Sequence, residues 1–226
     1  MKAMILAAGR GERMRPLTDT VPKPLLPLAG KPLIQHHVEA LVAAGFTELV
    51  INVSWLGAQI ESFFQQHDFG CQIHWSREAE PLETAGGIIQ ALPLLGSEPF
   101  ALVNADTWTD YPRRQLRAVG NCPQDGAHLV LVDNPPQHPA GDFRLGLEGL
   151  VLTRSDDAES TLTYAGLGIY SPGIFAGSQP GRQPLLPFLQ AAIGESRLRG
   201  EHYRGSWHDV GSPQRLAALD ASLGIH

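Results

Sequence analysis

The sequence has few cysteines, and this scarcity sets the first limits on what the protein can be. Cys71 and Cys122 are the only two cysteines among 226 residues, and no CxxC pair occurs. Two isolated thiols form neither a disulfide framework nor a zinc site of the usual spacing. HxxH and HExxH spacings are typical of metal ligands on a helix, and the histidines of this chain show neither. We therefore expect reduced, structural thiols and structural histidines.

Long apolar runs are missing as well. The N-terminal sequence MKAMILAA contains a lysine and then only a few apolar residues, too few for a signal peptide or a membrane span. The formal net charge is −6, so the composition does not indicate a general field for nucleic acid. These features predict a cytoplasmic protein that binds neither membrane nor nucleic acid, and they leave its oligomeric state open.

Positive charge is concentrated near the N-terminus. Residues 1–31 contain Lys2, Arg10, Arg13, Arg15, Lys23 and Lys31 but only two acidic residues. A local basic patch on an acidic protein suits a small polyanionic ligand better than a long nucleic acid.

Apolar periodicity alternates between strand and helix over the first part of the chain. Strands are predicted at KAMILAA, ELVINV, CQIHW and PFALVN, and helices at residues 32–45, about 57–66 and about 84–95. This order with short connections predicts a doubly wound, mostly parallel α/β sheet. No repeat is present, so we expect a single domain over residues 1–226.

After about residue 135 the pattern becomes less regular. LGLEGLVLTR predicts a hairpin, TLTYAGLGIYS a strand, and the segment from Pro213 to Leu223 a closing helix. We therefore expect a regular half at about 1–135 and a smaller, irregular lobe at about 136–226.

The stretch ILAAGRGERMRPLT follows the first predicted strand and combines two glycines with three arginines. It fails the Walker template, because neither glycine leads to a Gly-Lys pair. Gly9 and Gly11 match the start of the dinucleotide fingerprint, but Met14 stands where its third glycine is needed. Taken alone, the stretch is either a tight turn or a phosphate cradle.

The residues that follow extend this stretch into a longer signature. Leu6 to Ile34 reads LAAGRGERMRPLTDTVPKPLLPLAGKPLI, which resembles the signature of the sugar-1-phosphate nucleotidyltransferases. EPLETAGGI (80–88), LVNADTW (102–108) and WHDVGSP (207–213) resemble further motifs of the same family. The resemblance implies a Rossmann-like fold of the nucleotide-diphospho-sugar transferase type. It also implies that the first half binds nucleotide, and that the second binds the sugar and supplies the closing helix.

The implied reaction joins a sugar 1-phosphate to a nucleoside triphosphate and releases pyrophosphate. The attacking phosphate oxygen is already anionic, so catalysis requires positioning and neutralisation of charge rather than a general base. The short length, LETAGG and NADTWTDY look most like the stand-alone uridylyltransferases of the family. That resemblance implies UTP and N-acetylmuramate α-1-phosphate as substrates, in peptidoglycan recycling.

Other functions fit the same motifs. Within the family, the alternatives are a mannose-1-phosphate guanylyltransferase and a glucose-1-phosphate thymidylyltransferase. A different class is a catalytically silent nucleotide-sugar sensor. Retention of Arg13, Lys23, Asp106 and Asp209 together argues against the sensor, which could lose the carboxylates.

The resemblance assigns roles to the nucleotide-binding residues. Arg13 is expected to hold the β- and γ-phosphates, for which its planar guanidinium is suited. Lys23, fixed between two prolines, is expected to contact the α-phosphate or the attacking phosphate. The remaining residues expected to bind the nucleotide are Leu6, Ala8, Gly9, Gly11, Glu80, Thr84 and Gly86.

Two aspartates are expected to hold Mg²⁺. Asp106 follows the strand FALVN, and open α/β sheets bind ligands at the carboxyl ends of their strands. Asp209 lies beside Gly211. Two carboxylates, completed by phosphate oxygens and water, suit Mg²⁺, which needs few protein ligands. Asn104 and Gly166 are expected on the sugar side.

The chain also departs from the family pattern. Glu83 stands where many relatives have glycine, so the group that contacts the base is open, and Thr84 could instead cap a helix. The segment LTRSDDAEST (152–161) lacks a lysine that contacts the sugar phosphate in many hexose-1-phosphate members. Arg10 and Arg15 could be ligands or solvated residues, and Lys31 is expected to be peripheral.

Overall fold

The computed structural model describes residues 1–118, 122–154 and 160–224. Its strands are β1 (Ala3–Leu6), β2 (Pro27–Leu28), β3 (Lys31–Pro32), β4 (Glu48–Val53), β5 (Gln72–Arg77), β6 (Phe100–Asn104), β7 (Thr107–Thr109), β8 (Ala127–Val132), β9 (Phe143–Leu145), β10 (Val151–Thr153), β11 (Thr163–Tyr170), β12 (Leu198–His202) and β13 (Trp207–Asp209). Its α-helices are α1 (Leu33–Ala43), α2 (Gly57–Gln65), α3 (Glu83–Leu95), α4 (Arg114–Ala118), α5 (Leu186–Gly194) and α6 (Pro213–Leu223). Short 3₁₀ turns cover Glu12–Met14, Leu17–Asp19, Lys23–Leu25, Leu147–Gly149 and Pro172–Phe175.

A seven-stranded sheet in the order β12-β8-β11-β6-β1-β4-β5 forms the centre of the fold. The pairs β1–β4, β1–β6, β4–β5 and β8–β12 are parallel, whereas β11 runs antiparallel to both β6 and β8. The continuous apolar sequences of β1, β4 and β6 suit strands that are covered on both faces. The mostly parallel α/β sheet predicted from the sequence is confirmed.

Apolar side chains fill both faces of this sheet. Successive residues of a strand point to opposite faces, so Ile5 lies in the cluster that includes α1 and α2, and Met4 in the cluster that includes α3 and α5. Both side chains are fully buried. Packing on both faces holds the sheet between its helices, and the site is formed at the carboxyl ends of its strands.

A third apolar cluster joins the two ends of the chain. Leu216 and Leu219 of α6 pack with Met14, Leu28 and Val210. Burial of a leucine side chain contributes about 1.5–3 kcal/mol. The closing helix therefore stabilises the glycine- and arginine-rich N-terminal segment.

Most predicted elements are present, with small shifts at their ends. The helix predicted from Pro213 to Leu223 is α6 with the same bounds, and the predicted hairpin is β9 and β10 around a turn at Leu147–Gly149. Strands β8 and β12 and helix α5 were not predicted from the sequence. The division into halves at residue 135 stays a prediction. Residues 155–159, which make up half of the segment without the lysine, lie outside the described residues.

None of the helices in the described part of the chain combines the length and the apolar character needed to cross a membrane.

Candidate active site

A cleft of about 750 Å³ opens at the carboxyl ends of the central strands. Ligands of open α/β sheets bind at this edge. The predicted site residues that line the cleft are Leu6, Ala8, Gly9, Gly11, Arg13, Lys23, Glu80, Thr84, Asn104 and Asp106. Gly86, Gly166 and Asp209 are not among the lining residues. One cleft therefore brings together ten of the thirteen residues named from the sequence.

The N-terminal segment turns sharply at Gly11. Its φ is +64°, and a Cβ there would lie 3.0 Å from Cγ2 of Thr18 and 3.1 Å from Cβ of Lys23. The Thr18 hydroxyl donates to the Gly11 carbonyl over 2.8 Å. A glycine is needed here for both its dihedral angle and the close packing. The turn carries Arg13, whose exposed side chain lines the cleft.

The other N-terminal cations divide into two groups. Arg10 lines the cleft, and its guanidinium carbon lies 5.8 Å from the centroid of the Trp55 ring. Arg15 instead pairs with Asp19 over 3.2 Å. Lys31 pairs with Glu39 and is not among the residues that line the cleft.

Lys23 and Asp106 meet inside the cleft. The distance from Lys23 Nζ to Asp106 Oδ2 is 2.9 Å. The lysine side chain is 8% exposed, whereas the aspartate side chain is 43% exposed. A buried ammonium needs a compensating charge, and Asp106 supplies it. A cation and a carboxylate that lie 83 positions apart in sequence thus face the same space.

A buried histidine supports the backbone next to Asp106. His37 on α1 is 1% exposed, and burial, together with the nearby Arg113 charge, lowers its pKa to about 3. The ring is therefore neutral. Its Nε2 is 2.8 Å from the Thr107 carbonyl, and its Nδ1 is 3.4 Å from Nη2 of Arg113. We assign the proton to Nε2, because the carbonyl accepts and the guanidinium donates.

Arg113 itself is buried, being 4% exposed. Burial lowers its pKa to about 10, so it stays charged at neutral pH. Its Nη1 donates to the Tyr111 carbonyl over 2.7 Å. No sequence motif pointed to this residue, which is the first arginine of YPRRQLR.

Asp209 approaches Asp106 through the backbone rather than through its side chain. In the β7–β13 ladder, Asp209 lies opposite Thr107, and the Val210 N–H donates to the Asp106 carbonyl over 3.0 Å. The Asp209 carboxylate turns toward Arg215, with 3.0 Å between Oδ2 and Nη1. It lines a second cavity of about 550 Å³. The side-chain convergence of the two aspartates stays a prediction.

The donor set fits Mg²⁺ in its chemistry. Both side chains are carboxylates on neighbouring backbone segments, and Mg²⁺ prefers oxygen ligands while retaining several waters. Within residues 1–118, 122–154 and 160–224, no group of three or more His, Cys, Asp or Glu could hold a metal. A metal bound by the two aspartates would therefore take its other ligands from substrate and water.

Asn104 and Gly166, the residues predicted for the sugar side, are in contact. Gly166 has φ of +74°, and a Cβ there would lie 2.8 Å from both Cγ and Nδ2 of Asn104. It occupies an irregularity of β11 between Tyr164 and Gly168. The buried Oδ1 of Asn104 has no hydrogen-bond partner among the described residues. Because a buried acceptor without a partner is costly, this oxygen is suited to receive a ligand donor.

A buried amide–carboxylate pair, missed in the sequence, links two walls of the cleft. Asn52 Oδ1 accepts from the Ala7 N–H over 2.8 Å, and its Nδ2 donates to Glu78 over 2.6 Å. The other Glu78 oxygen accepts from the Leu82 N–H over 3.0 Å. Burial raises the pKa of Glu78. The sequence signal for this pair is Asn52, a polar residue near the end of the otherwise apolar strand ELVINV.

In the loop predicted to read the base, Gly86 packs against a neighbouring segment. Its N–H donates to the Gln183 carbonyl over 3.1 Å, and a Cβ would lie 2.3 Å from the Gly181 carbonyl oxygen. The glycine therefore makes room for a neighbouring segment, and that face is not open to a base. Thr84 lines the cleft but does not cap α3, which begins at Glu83 without a side-chain cap.

Comparison with known proteins identifies the family. Residues 2–147 match the family model described as nucleotidyl transferase. The chain belongs to the nucleotidyl transferase family. It is 49% identical to an N-acetylmuramate alpha-1-phosphate uridylyltransferase of Neisseria meningitidis serogroup B, over 99% of both chains. It is 34% identical to a protein of the same description from Caulobacter vibrioides, over 98% of this chain and 96% of that one.

The fold of the family is also seen in a solved structure. A UDP-glucose pyrophosphorylase crystallised with UDP-glucose superposes with a TM-score of 0.81 at 23% identity, over 98% of this chain and 97% of that one. The predicted fold class and the predicted class of enzyme, a sugar-1-phosphate nucleotidyltransferase, are thus confirmed.

Proposed function

We propose that the protein transfers UMP from UTP to N-acetylmuramate α-1-phosphate, giving UDP-N-acetylmuramate and pyrophosphate. The observation that supports this most is the Lys23–Asp106 pair, 2.9 Å apart, in a cleft also lined by Arg13. It combines with the 49% identity to a uridylyltransferase for that sugar phosphate. We further propose that the reaction takes place in the cytoplasm, as part of peptidoglycan recycling.

The cations of the cleft divide the work of phosphate binding. Arg13, two residues after Gly11 in the glycine-rich turn, holds the β- and γ-phosphates that leave as pyrophosphate. Lys23 is held between Pro22 and Pro24, and its ammonium reaches the cleft from a largely buried stem. It stabilises negative charge at the α-phosphate as the sugar phosphate attacks in line. Pre-positioned charge of this kind requires no reorganisation during the reaction.

We propose Mg²⁺ as the cofactor, held by Asp106 and Asp209. When bound, it neutralises phosphate charge and orients the phosphate oxygens. The Asp209 carboxylate would exchange Arg215 for the metal. We expect Asp209→Ala to require more Mg²⁺ for half-maximal activity. The control is Asp133→Ala, which removes an exposed carboxylate that lines the same second cavity and pairs with His202. An unchanged Mg²⁺ titration in Asp209→Ala would remove Asp209 from the metal site.

The roles of the cations can be tested with a pair of matched lysine variants. Pyrophosphate release from UTP and N-acetylmuramate α-1-phosphate is measured for Lys23→Ala and Lys31→Ala. Loss of a group that stabilises transition-state charge lowers the rate by roughly 10²–10³-fold, so we expect this for Lys23→Ala. Lys31→Ala removes a lysine paired outside the cleft and should retain activity. Equal rates in folded Lys23→Ala and wild type would contradict the proposed role.

A further inference from the structure

An ion pair at the rim of the cleft joins the base loop to a distant segment. Nε and Nη2 of Arg182 both lie 2.7 Å from Oε1 of Glu83. The residues are 99 positions apart in sequence, and both line the cleft. Glu80 and Leu82, from the same loop as Glu83, line this cleft as well.

The backbone at Glu83 is strained. Its φ is +60°, a left-handed conformation that glycine adopts freely and that costs other residues about 1–2 kcal/mol. The ion pair is exposed, at 74% for Arg182 and 36% for Glu83. Exposed pairs contribute about 0–1 kcal/mol. The pair therefore does not recover the cost of replacing glycine, and stability does not explain why a glutamate stands there.

The backbone on both sides of Arg182 is fixed to the same loop. The Gln183 N–H donates to the Leu82 carbonyl over 2.9 Å, and the Gly86 N–H donates to the Gln183 carbonyl over 3.1 Å. Gly181 packs with its carbonyl against Gly86. A side chain that starts from so constrained a backbone, and is held by a carboxylate, is oriented before any ligand arrives.

We propose that Arg182 is a specificity-determining residue for the nucleotide, which donates to a carbonyl oxygen of the base and is oriented by Glu83. The proposal rests on the proposed function, in which the base is uracil. A guanidinium has five N–H donors and no acceptor, and Glu83 engages only the edge formed by Nε and Nη2. The Nη1 group remains for the ligand.

This chemistry distinguishes the two pyrimidine nucleotides. The O4 carbonyl of uracil accepts a hydrogen bond, whereas cytosine presents an amino donor at the same position. Two donors facing one another leave a desolvated N–H without a partner, which is costly. Arg182 therefore favours UTP over CTP, and Glu83 strengthens the preference by restricting the guanidinium.

The test measures kcat/KM for UTP and CTP, the Kd for UTP and the thermal midpoint in three variants. In Arg182→Ala we expect the UTP/CTP ratio to fall about tenfold and the Kd for UTP to rise by a similar factor, as for loss of a charge-assisted hydrogen bond. The KM for the sugar phosphate should stay unchanged. Arg182→Lys should recover only part of the preference. Glu83→Gly should lose part of the preference while its midpoint is kept or raised, because glycine suits φ of +60°.

The matched control is Arg77→Ala, which breaks an exposed pair between Arg77 and Glu61 with the same 2.7 Å separation, away from the cleft. It should leave the UTP/CTP ratio at the wild-type value. If Arg182→Ala keeps both the ratio and the Kd for UTP, the inference is overturned. The same holds if Glu83→Gly loses stability but no preference. Wild-type enzyme that does not transfer UMP at all would instead overturn the proposed function, and UTP binding would still decide the role of Arg182.

Discussion

His37 makes the fold sensitive to acid in a way that one substitution can remove. In the folded protein its pKa is about 3, compared with 6.5 for an ordinary histidine, because the ring is fully buried. The charged and titratable groups that face it are Arg113 after β7, Asp106 after β6 and its neighbour His36. Below pH 6.5 His37 is protonated in the unfolded chain, whereas the buried ring of the folded protein stays neutral. Stability is therefore complete above that pH and decreases as the pH falls toward 3.

The size of the effect follows from the two pKa values. At pH 5 the unfolded state gains the free energy of 1.5 pH units of protonation, about 2 kcal/mol, relative to pH 8. The His37→Gln variant keeps an N–H donor for the Thr107 carbonyl and does not titrate. Its free energy of unfolding should therefore lack this contribution, even if the substitution lowers stability at every pH.

Urea unfolding of the two proteins at several pH values between 5 and 8 measures the difference. Ile34→Val, a buried position on the same helix, serves as the control, because it lowers stability by about 0.5–1.5 kcal/mol without changing a titratable group. It should retain the wild-type pH dependence. Identical pH dependence in wild type and His37→Gln would show that the buried neutral ring is not the cause.

Three further substitutions test the packing of the cleft walls. Gly166→Ala places a Cβ 2.8 Å from Asn104 at a position with φ of +74°. It should raise the KM for the sugar phosphate more than the KM for UTP. Equal changes in the two KM values would argue against a sugar-side role. Gly86→Ala forces a Cβ against the Gly181 carbonyl oxygen and should cost about 1–3 kcal/mol in urea unfolding, with wild-type stability as the contrary result. Glu78→Ala leaves the buried amide of Asn52 and the half-buried N–H of Leu82 without their acceptor and should cost about 1–3 kcal/mol, whereas Glu78→Gln, which keeps one acceptor, should cost less in the same assay.

The fold was predictable where periodicity and length agreed. The apolar runs of β1, β4 and β6 are continuous because both faces of these strands are covered, and this is a strong local signal. The antiparallel insertion of β11 between β6 and β8 was not predictable, because strand order depends on long-range pairing. β12, with the sequence LRGEH, is not an apolar run, and its position at the sheet edge explains why it needs few apolar residues.

The candidate site was predictable at its phosphate end and less so elsewhere. Gly11, Lys23 and Asp106 belong to motifs in which the residue type is dictated by the backbone angle or the charge. The base contact of Gly86 stays a prediction; its Cβ side is filled by Gly181, almost a hundred residues away, which the local sequence does not indicate. The Arg182–Glu83 pair depends on the same contact between the two segments, and no local sequence pattern predicts it.

The central claim is the identity of the two substrates, and a matrix of four nucleoside triphosphates against several sugar 1-phosphates tests it most directly. Pyrophosphate release is measured with Mg²⁺ for each pair, and the sugar phosphates include N-acetylmuramate α-1-phosphate, mannose 1-phosphate and glucose 1-phosphate. We predict the highest kcat/KM for UTP with N-acetylmuramate α-1-phosphate. A higher value for GTP with mannose 1-phosphate or dTTP with glucose 1-phosphate would contradict the substrate assignment, and no turnover with any pair would favour a nucleotide-sugar sensor.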